Sequence, residues 1–287
     1  MTKERIVVLD GARTPIGSFG GQFKDVPAYQ LGAAAVTEAL GRSGVAAADT
    51  EEVVMGRIGQ VGPDAYNARR VAIEAGLPTS VPAFTVNRLC GSGLQAIWSA
   101  AQEMRWNDLQ VTVAGGDESM TRMPFYDFGA RNGYKLGDRE LVDGTVAMLT
   151  DPFGGVHMGV TAEAVAEKYG VSREEQDEFA LRSQRRCAAE AAKAAFAEEI
   201  VPVEISGRRG VTVVDTDEHP KPQTTPEALA ALRPAFAEGG TVTAGNASGS
   251  TTGPPRSCSR PSRPLVTGVR PDWSRSSRWR PRRWSRV

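Results

Sequence analysis

The sequence predicts an α/β fold with a mainly parallel sheet, and three observations carry that prediction. Short apolar strand-like segments alternate with helical ones over residues 5–115. One junction, VPAFTVNRLCGSGLQAIWSAAQEMRW at 81–106, passes from period-two alternation to helical spacing within a few residues. From 119 the rhythm changes to a long stretch broken by glycines and prolines. Strands alternating with helices pack as a parallel sheet covered by helices.

The elements follow in order. RIVVLD at 5–10 reads as a buried strand, and residues 11–21 as a glycine-broken loop whose glycines do not fall as Gly-x-Gly-x-x-Gly, against a dinucleotide fingerprint. Residues 28–43 form an alanine-rich helix with Leu31, Ala34, Ala35 and Leu40 on one side, ended by Gly44. Residues 52–58 form a second strand, and 65–75 a helix stopped by Gly76 and Pro78. The strand at 81–87 then enters a helix with Leu94, Ile97, Trp98 and Ala101 at helical spacing, and VTVAG at 111–115 is a strand buried on both faces. Residues 119–158 are loop-rich, and segments this long without regular structure are usually functional. Helix follows at 159–169; Ser172 and Glu175 make a capping box for a long helix to about Ala197. Residues 200–205 and 211–214 alternate as a hairpin, and Thr225, Pro226 and Glu227 open one more helix.

Chemistry concentrates at Cys90. It lies between strand and helix, where unpaired amides and the positive end of the helix dipole favour a thiolate, the nucleophile of covalent catalysis. Gly91, Ser92 and Gly93 weaken the helix start but let another backbone or a ligand come close. The alternative is a small packed cysteine. His157 is the candidate base of a Cys-His pair; His219, beside Pro220, reads as an exposed turn, and Cys187 as a packing residue among alanines.

With 287 residues and 40% hydrophobic content the chain can bury a large core of one or two domains. No run of 18 apolar residues occurs, and Cys90, Cys187 and Cys258 have neither metal nor disulfide spacing. These features point to a cytoplasmic protein without a bound metal. The net charge of zero hides an asymmetry: residues 1–249 hold 24 Lys plus Arg against 33 Asp plus Glu, whereas 250–287 hold ten Arg and one acid, Asp272. That tail also has eight Ser, six Pro and three Trp, and reads as disordered. A basic arm with aromatics could bind nucleic acid.

NRLCGSGLQAI resembles the nucleophile segment of the thiolases, Asn-x-x-Cys-x-Ser-Gly-x-x-Ala, at Asn87, Cys90, Ser92, Gly93 and Ala96. GARTPIGSFGG, AGGDESMTRMP, HMGVTAE, LRPAF and TVTAGNASG follow the family's order. The resemblance implies a layered α/β/α core, of which 1–118 is the N-terminal half, with an α+β loop domain at 119–249 that binds coenzyme A. It implies an acyltransferase that condenses acetyl-CoA with an acyl-CoA, or cleaves 3-ketoacyl-CoA, through an acyl-cysteine at Cys90. Coenzyme A thioesters are then substrates, no cofactor is tightly bound, and the full-length form is a homodimer or homotetramer. It places Leu149 and Phe236 against the acyl chain, His157 and Met158 at the pocket wall, Lys221 near the nucleotide, and Ala244 and Ser248 along the pantetheine. Lys221 departs from the arginine often found there, with loss of a stacking guanidinium.

The family's Gly-His-Pro, Asn-Glu-Ala-Phe and second-cysteine motifs do not occur in the 287 residues, so turnover is expected to be absent. One codon choice for residues 250–261, read with one added nucleotide, spells Ile-Asn-Asp-Gly-Ala-Ala-Ala-Val-Leu-Leu-Ala-Ser, the continuation thiolases carry. The tail is therefore expected to be out of frame. A Cys90–His157 thioester hydrolase and a non-catalytic fragment with a nucleic-acid-binding tail are the alternative readings.

Overall fold

Buried β-branched residues set the centre of the molecule, whose computed structural model describes residues 6–208, 210–249 and 265–268. In chain order the core elements are β1 (Val7–Gly11), α1 (Ala28–Ser43), β2 (Glu52–Gly56), α2 (Asn67–Glu74), β3 (Ala83–Val86), α3 (Ser92–Trp106) and β4 (Val111–Gly116). The loop region adds β5 (Phe125–Tyr126), β6 (Val142–Asp143), α4 (Gly144–Met148), α5 (Met158–Tyr169), α6 (Arg173–Ala188), α7 (Glu190–Glu199), the hairpin β7 (Val203–Gly207) and β8 (Gly210–Val214), and α8 (Pro226–Ala230). Last comes β9 (Leu265–Gly268).

The main sheet has the order β1-β9-β4-β2-β3. β2 runs parallel to β3 and to β4, as strands joined through helices must. All five residues of β2 are buried, and successive side chains serve opposite faces. Val53 and Met55 join Val113 in the cluster containing Val36 and Leu40 of α1 and Val71 of α2. Val54 and Ala114 meet Ala96 and Ala100 of α3 on the other face.

Three expectations need correction here. The buried stripe of α3 is Gly93, Ala96, Ala100 and Met104, whereas Leu94 and Trp98 are 76% and 64% exposed. Small residues won because α3 lies almost on the backbone of β2: a Cβ on Gly56 would sit 2.3 Å from the Ser92 carbonyl carbon and 2.6 Å from the Gly93 nitrogen. The expected close approach of a backbone at 91–93 is thus made by β2 itself. Gly56→Ala should cost about 1–3 kcal/mol or more and tilt α3, read as a lower denaturation midpoint; an unchanged midpoint would contradict this packing.

The second correction concerns the tail. Leu265–Gly268 is a strand, antiparallel to both β1 and β4, with Val266 opposite Asp10 and Val113. Leu, Val and Thr in succession suit a strand, and backbone groups on both flanking strands gain partners from it. The rest of the tail, and with it the frame and nucleic-acid expectations, lies outside the described residues.

The third correction falls in the loop region. Ser172 and Glu175 form the capping box, the Ser172 Oγ accepting from the Glu175 amide at 3.2 Å and the Glu175 carboxylate from the Ser172 amide at 2.8 Å. The helix expected to run to 197 stops at Ala189, whose φ −64° and ψ 140° are extended. The turn lets α7 deliver Glu199 to Arg13, a tertiary contact that outweighs alanine's helix preference.

Glu52 faces α3 with 8% exposure, and its Oε2 has no hydrogen-bond partner among the described residues. Burial, and secondarily Glu103, push its carboxyl from 4.5 up to about 7. Between those values the folded chain holds a proton that the unfolded chain has released, so stability falls as pH rises through this window. The melting temperature should fall from pH 5 to 8, and Glu52→Gln should flatten the slope. Identical slopes would count against a buried neutral Glu52.

Candidate active site

Cys90 stands in the turn Asn87–Gly91 that links β3 to α3, at the carboxyl end of the parallel strands where ligands of such sheets bind. Leu89 has φ 47°, a left-handed conformation rare for a branched side chain. The turn is tied on both sides: Asn87 Oδ1 accepts from the Leu89 amide at 2.9 Å, and Ser92 Oγ accepts from the Arg88 amide at 2.8 Å while donating to the Leu89 carbonyl at 2.6 Å. Gly91 is the cap residue of α3, so the thiol sits just ahead of the helix and is exposed. Backbone strain held by hydrogen bonds and an exposed sulfur suit a nucleophile better than a packed cysteine. Cys187 is half-buried on α6.

Beneath the turn lies a buried polar cluster that sequence reasoning missed. Arg57, directly after β2, is 2% exposed and donates to the Gly59 carbonyl, Asn67 Oδ1, Asp117 Oδ1 and Asp64 Oδ2 at 2.7–3.0 Å. Asn67 Nδ2 donates to the other Asp117 oxygen at 2.9 Å. Burial lifts the Asp117 carboxyl to about 6 although Arg57 and Asn67 pull it down. The legible signal was position: Arg57 and Asp117 each directly follow a strand whose last five residues are buried, where a charge needs a partner.

A second group assembles around the start of α5. His157 caps that helix, its Nδ1 accepting from the Gly159 amide at 3.0 Å, and its ring stacks on Phe236 at 5.0 Å. A Cβ on Gly159 would meet the Phe236 ring at 2.2 Å, so glycine is what lets the ring lie on the helix. The Met158 amide donates to the Leu149 carbonyl at 2.8 Å. Leu149, His157, Met158 and Phe236 are therefore brought together. Among the described residues no hydrogen bond or ring contact joins His157 to Cys90.

The segment carrying Ala244 and Ser248 is anchored next to them. Glu163 accepts from the amides of Thr241 and Val242, each at 2.8 Å; burial opposes its ionisation, but these bonds outweigh it and hold the carboxyl below its ordinary value. Asn246 bridges the Thr243 amide and Asp177. Ala244 is left half-buried and Ser248 exposed. Lys221 gives its amide to Gln184 Oε1 and one of its three ammonium N–H donors to the Glu218 carbonyl. A cavity of about 440 Å³ beside α5 contains none of these expected residues and is lined by Glu163, Glu167 and Glu238, a poor match for a polyanionic nucleotide.

His219 is not in an exposed turn. It is 6% exposed, with Nε2 3.1 Å from the Gly17 carbonyl. The adjoining Glu218 carboxylate accepts from the Ser18 and Gln22 amides, so this stretch pins the glycine-rich loop after β1.

The family model described as "Thiolase, N-terminal domain" matches residues 6–254. An acetyl-CoA acetyltransferase of Syntrophomonas wolfei is 48% identical over 252 residues, 87% of this chain and 63% of that protein. The beta-ketothiolase BktB of Cupriavidus necator is 50% identical over 251 residues, 87% of this chain and 64% of its own. The crystal structure of the Bacillus anthracis acetyl-CoA acetyltransferase superposes with a TM-score of 0.85 at 38% identity, covering 93% of this chain and 66% of that one. The chain thus spans just under two thirds of the length of these relatives.

Proposed function

The chain belongs to the thiolase family, and from that premise we propose that it is an acyl-CoA acyltransferase that works through an acyl-cysteine at Cys90. The observation that carries this reading is the exposed thiol on a strained turn at the carboxyl ends of β2, β3 and β4. In the first half-reaction the Cys90 thiolate adds to the thioester carbonyl, the carbon–sulfur bond to coenzyme A breaks, and coenzyme A leaves as a thiolate that takes up a proton. Leu149, His157, Met158 and Phe236 form the acyl side of the pocket in this reading, with Ala244 and Ser248 along the pantetheine and Lys221 toward the nucleotide. Acetyl transfer to a second acetyl-CoA, or the reverse cleavage of a 3-ketoacyl-CoA, completes the cycle in a homodimer or homotetramer placed in the cytoplasm. Among the described residues no helix is long and apolar enough to cross a membrane.

The relevant test separates transfer from hydrolysis. Labelled coenzyme A incubated with acetyl-CoA and the protein should exchange into the thioester, because the acyl-cysteine returns its acetyl group to coenzyme A. Release of acetate without exchange would favour a Cys90–His157 hydrolase, a reading disfavoured by the stacked, helix-capping His157.

The proton-transfer groups for condensation lie, on this reading, in a segment encoded by the other frame after Gly249. Resequencing the gene across that codon decides it: the restored frame should encode Asn-Glu-Ala-Phe, Gly-His-Pro and Cys-x-Gly-Gly-Gly in that order, and their absence would remove the frame change from the account.

A further inference from the structure

The contacts between the end of β2 and the Cys90 turn have one common anchor. Gly56 lies under the Ser92 and Gly93 backbone, the Arg57 amide donates to the Val86 carbonyl at 3.0 Å, and the Ile58 carbonyl faces Asn87 Nδ2 at 3.5 Å. Three consecutive residues therefore support the last strand residue, the turn and the first helical residues around the thiol. What holds the three in place is the side chain of Arg57, 2% exposed and bonded to four acceptors on different segments. Asp117 completes the anchor through its own amide, which donates to the Gly56 carbonyl at 3.2 Å, and through its carboxylate on Arg57 and Asn67.

We infer that Arg57, locked by Asp117, is a positioning residue for the Cys90 nucleophile: it fixes residues 56–58 as the floor on which the Cys90 turn keeps its strained geometry. This rests on the reading of Cys90 as the acylated residue. The other charged groups around the anchor are Asp64, which also takes Arg70 at 2.7 Å, and Glu118, whose carboxylate accepts from the Ile58 and Gly59 amides. From α1 the neighbour is Gly32, on which a Cβ would come within 2.6 Å of Asp117 Oδ2, so that helix closes the pocket over the carboxylate. A guanidinium fork can serve four acceptors at once; the point charge of a lysine cannot. Burial raises the Asp117 carboxyl to about 6, so opening that hydrates it, and with it loosening of the anchor, becomes easier as pH rises through that value.

The test uses the full chain, with Arg57→Lys and Asp117→Asn beside the wild type. Amide exchange over residues 87–93, corrected for intrinsic pH dependence, is measured from pH 5 to 8, together with acetylation of Cys90 by acetyl-CoA. In the wild type, protection of 87–93 should drop on going above pH 6. Asp117→Asn, which cannot titrate, should show no such step. Arg57→Lys should lower protection there by about tenfold at pH 8 while protection in the β7–β8 hairpin stays the same, and Cys90 acetylation should slow with it. If Arg57→Lys does not fold, the pH step and its loss in the near-isosteric Asp117→Asn still decide the matter. Unchanged protection of 87–93, or a step at pH 6 that survives in Asp117→Asn, overturns the inference. A wild type that shows the step yet is never acetylated overturns the acyl-transfer reading and leaves the positioning role standing.

Discussion

Replacing Arg13 with leucine is expected to lower the unfolding free energy by about 3–5 kcal/mol, the cost of stranding buried charges. The Arg13 side chain is 5% exposed and reaches Glu199 at 2.8 Å and both oxygens of Asp217 at 2.7 and 2.9 Å. Those carboxylates are themselves only 11% and 10% exposed, so removing the guanidinium leaves both buried without this cation. Asp217 also accepts from the Ile16 amide at 2.8 Å, and the Arg13 backbone pairs with Glu199 and Val201. One side chain therefore joins the segment after β1, the end of α7 and the stretch after β8. With whole-domain stabilities of about 5–15 kcal/mol, this loss should shift a denaturant midpoint by a large fraction of its value. A shift worth less than about 1 kcal/mol, the range of a surface pair, would show that the cluster is solvated.

Cys90→Ala should abolish acetyl exchange altogether, since removing a covalent nucleophile elsewhere costs on the order of 10⁶ in turnover and, among the described residues, no other cysteine sits at a strand–helix turn. Cys187→Ala, on the side of α6, should leave exchange at the wild-type rate. Loss of exchange in the Cys187 variant alone would move the nucleophile to the loop region.

The sequence was most readable where a single period governs. β2, β4 and the capping box of α6 follow from local rules, and the turn at Cys90 follows from the switch of period at 81–106. The misreadings share a cause, namely distant contacts that local pattern does not encode. Leu94 and Trp98 looked like the packed side of α3, but the Gly56 backbone selects the small-residue stripe instead. Ala189 carries no break signal, yet α7 must turn for Glu199 to reach Arg13. His219 is buried because the Gly17 loop lies over it, 202 residues earlier in the chain. Leu265–Gly268 was hidden in a tail dominated by Arg, Ser and Pro, and only the slot between β1 and β4 makes a strand of it. Of the site, the nucleophile was visible from spacing and glycines. Around α5, His157 stood out in the sequence only as a candidate base, Leu149, Met158 and Phe236 came through family resemblance, and the Arg57–Asp117 anchor needed the fold.

The measurement closest to the central claim is peptide mass mapping after brief exposure of the 287-residue chain to acetyl-CoA. One acetyl group should appear on the peptide that contains Cys90, and added coenzyme A should remove it. An acetyl group on Cys187 or Cys258, or label on Cys90 that coenzyme A cannot remove, would contradict acyl transfer through this turn.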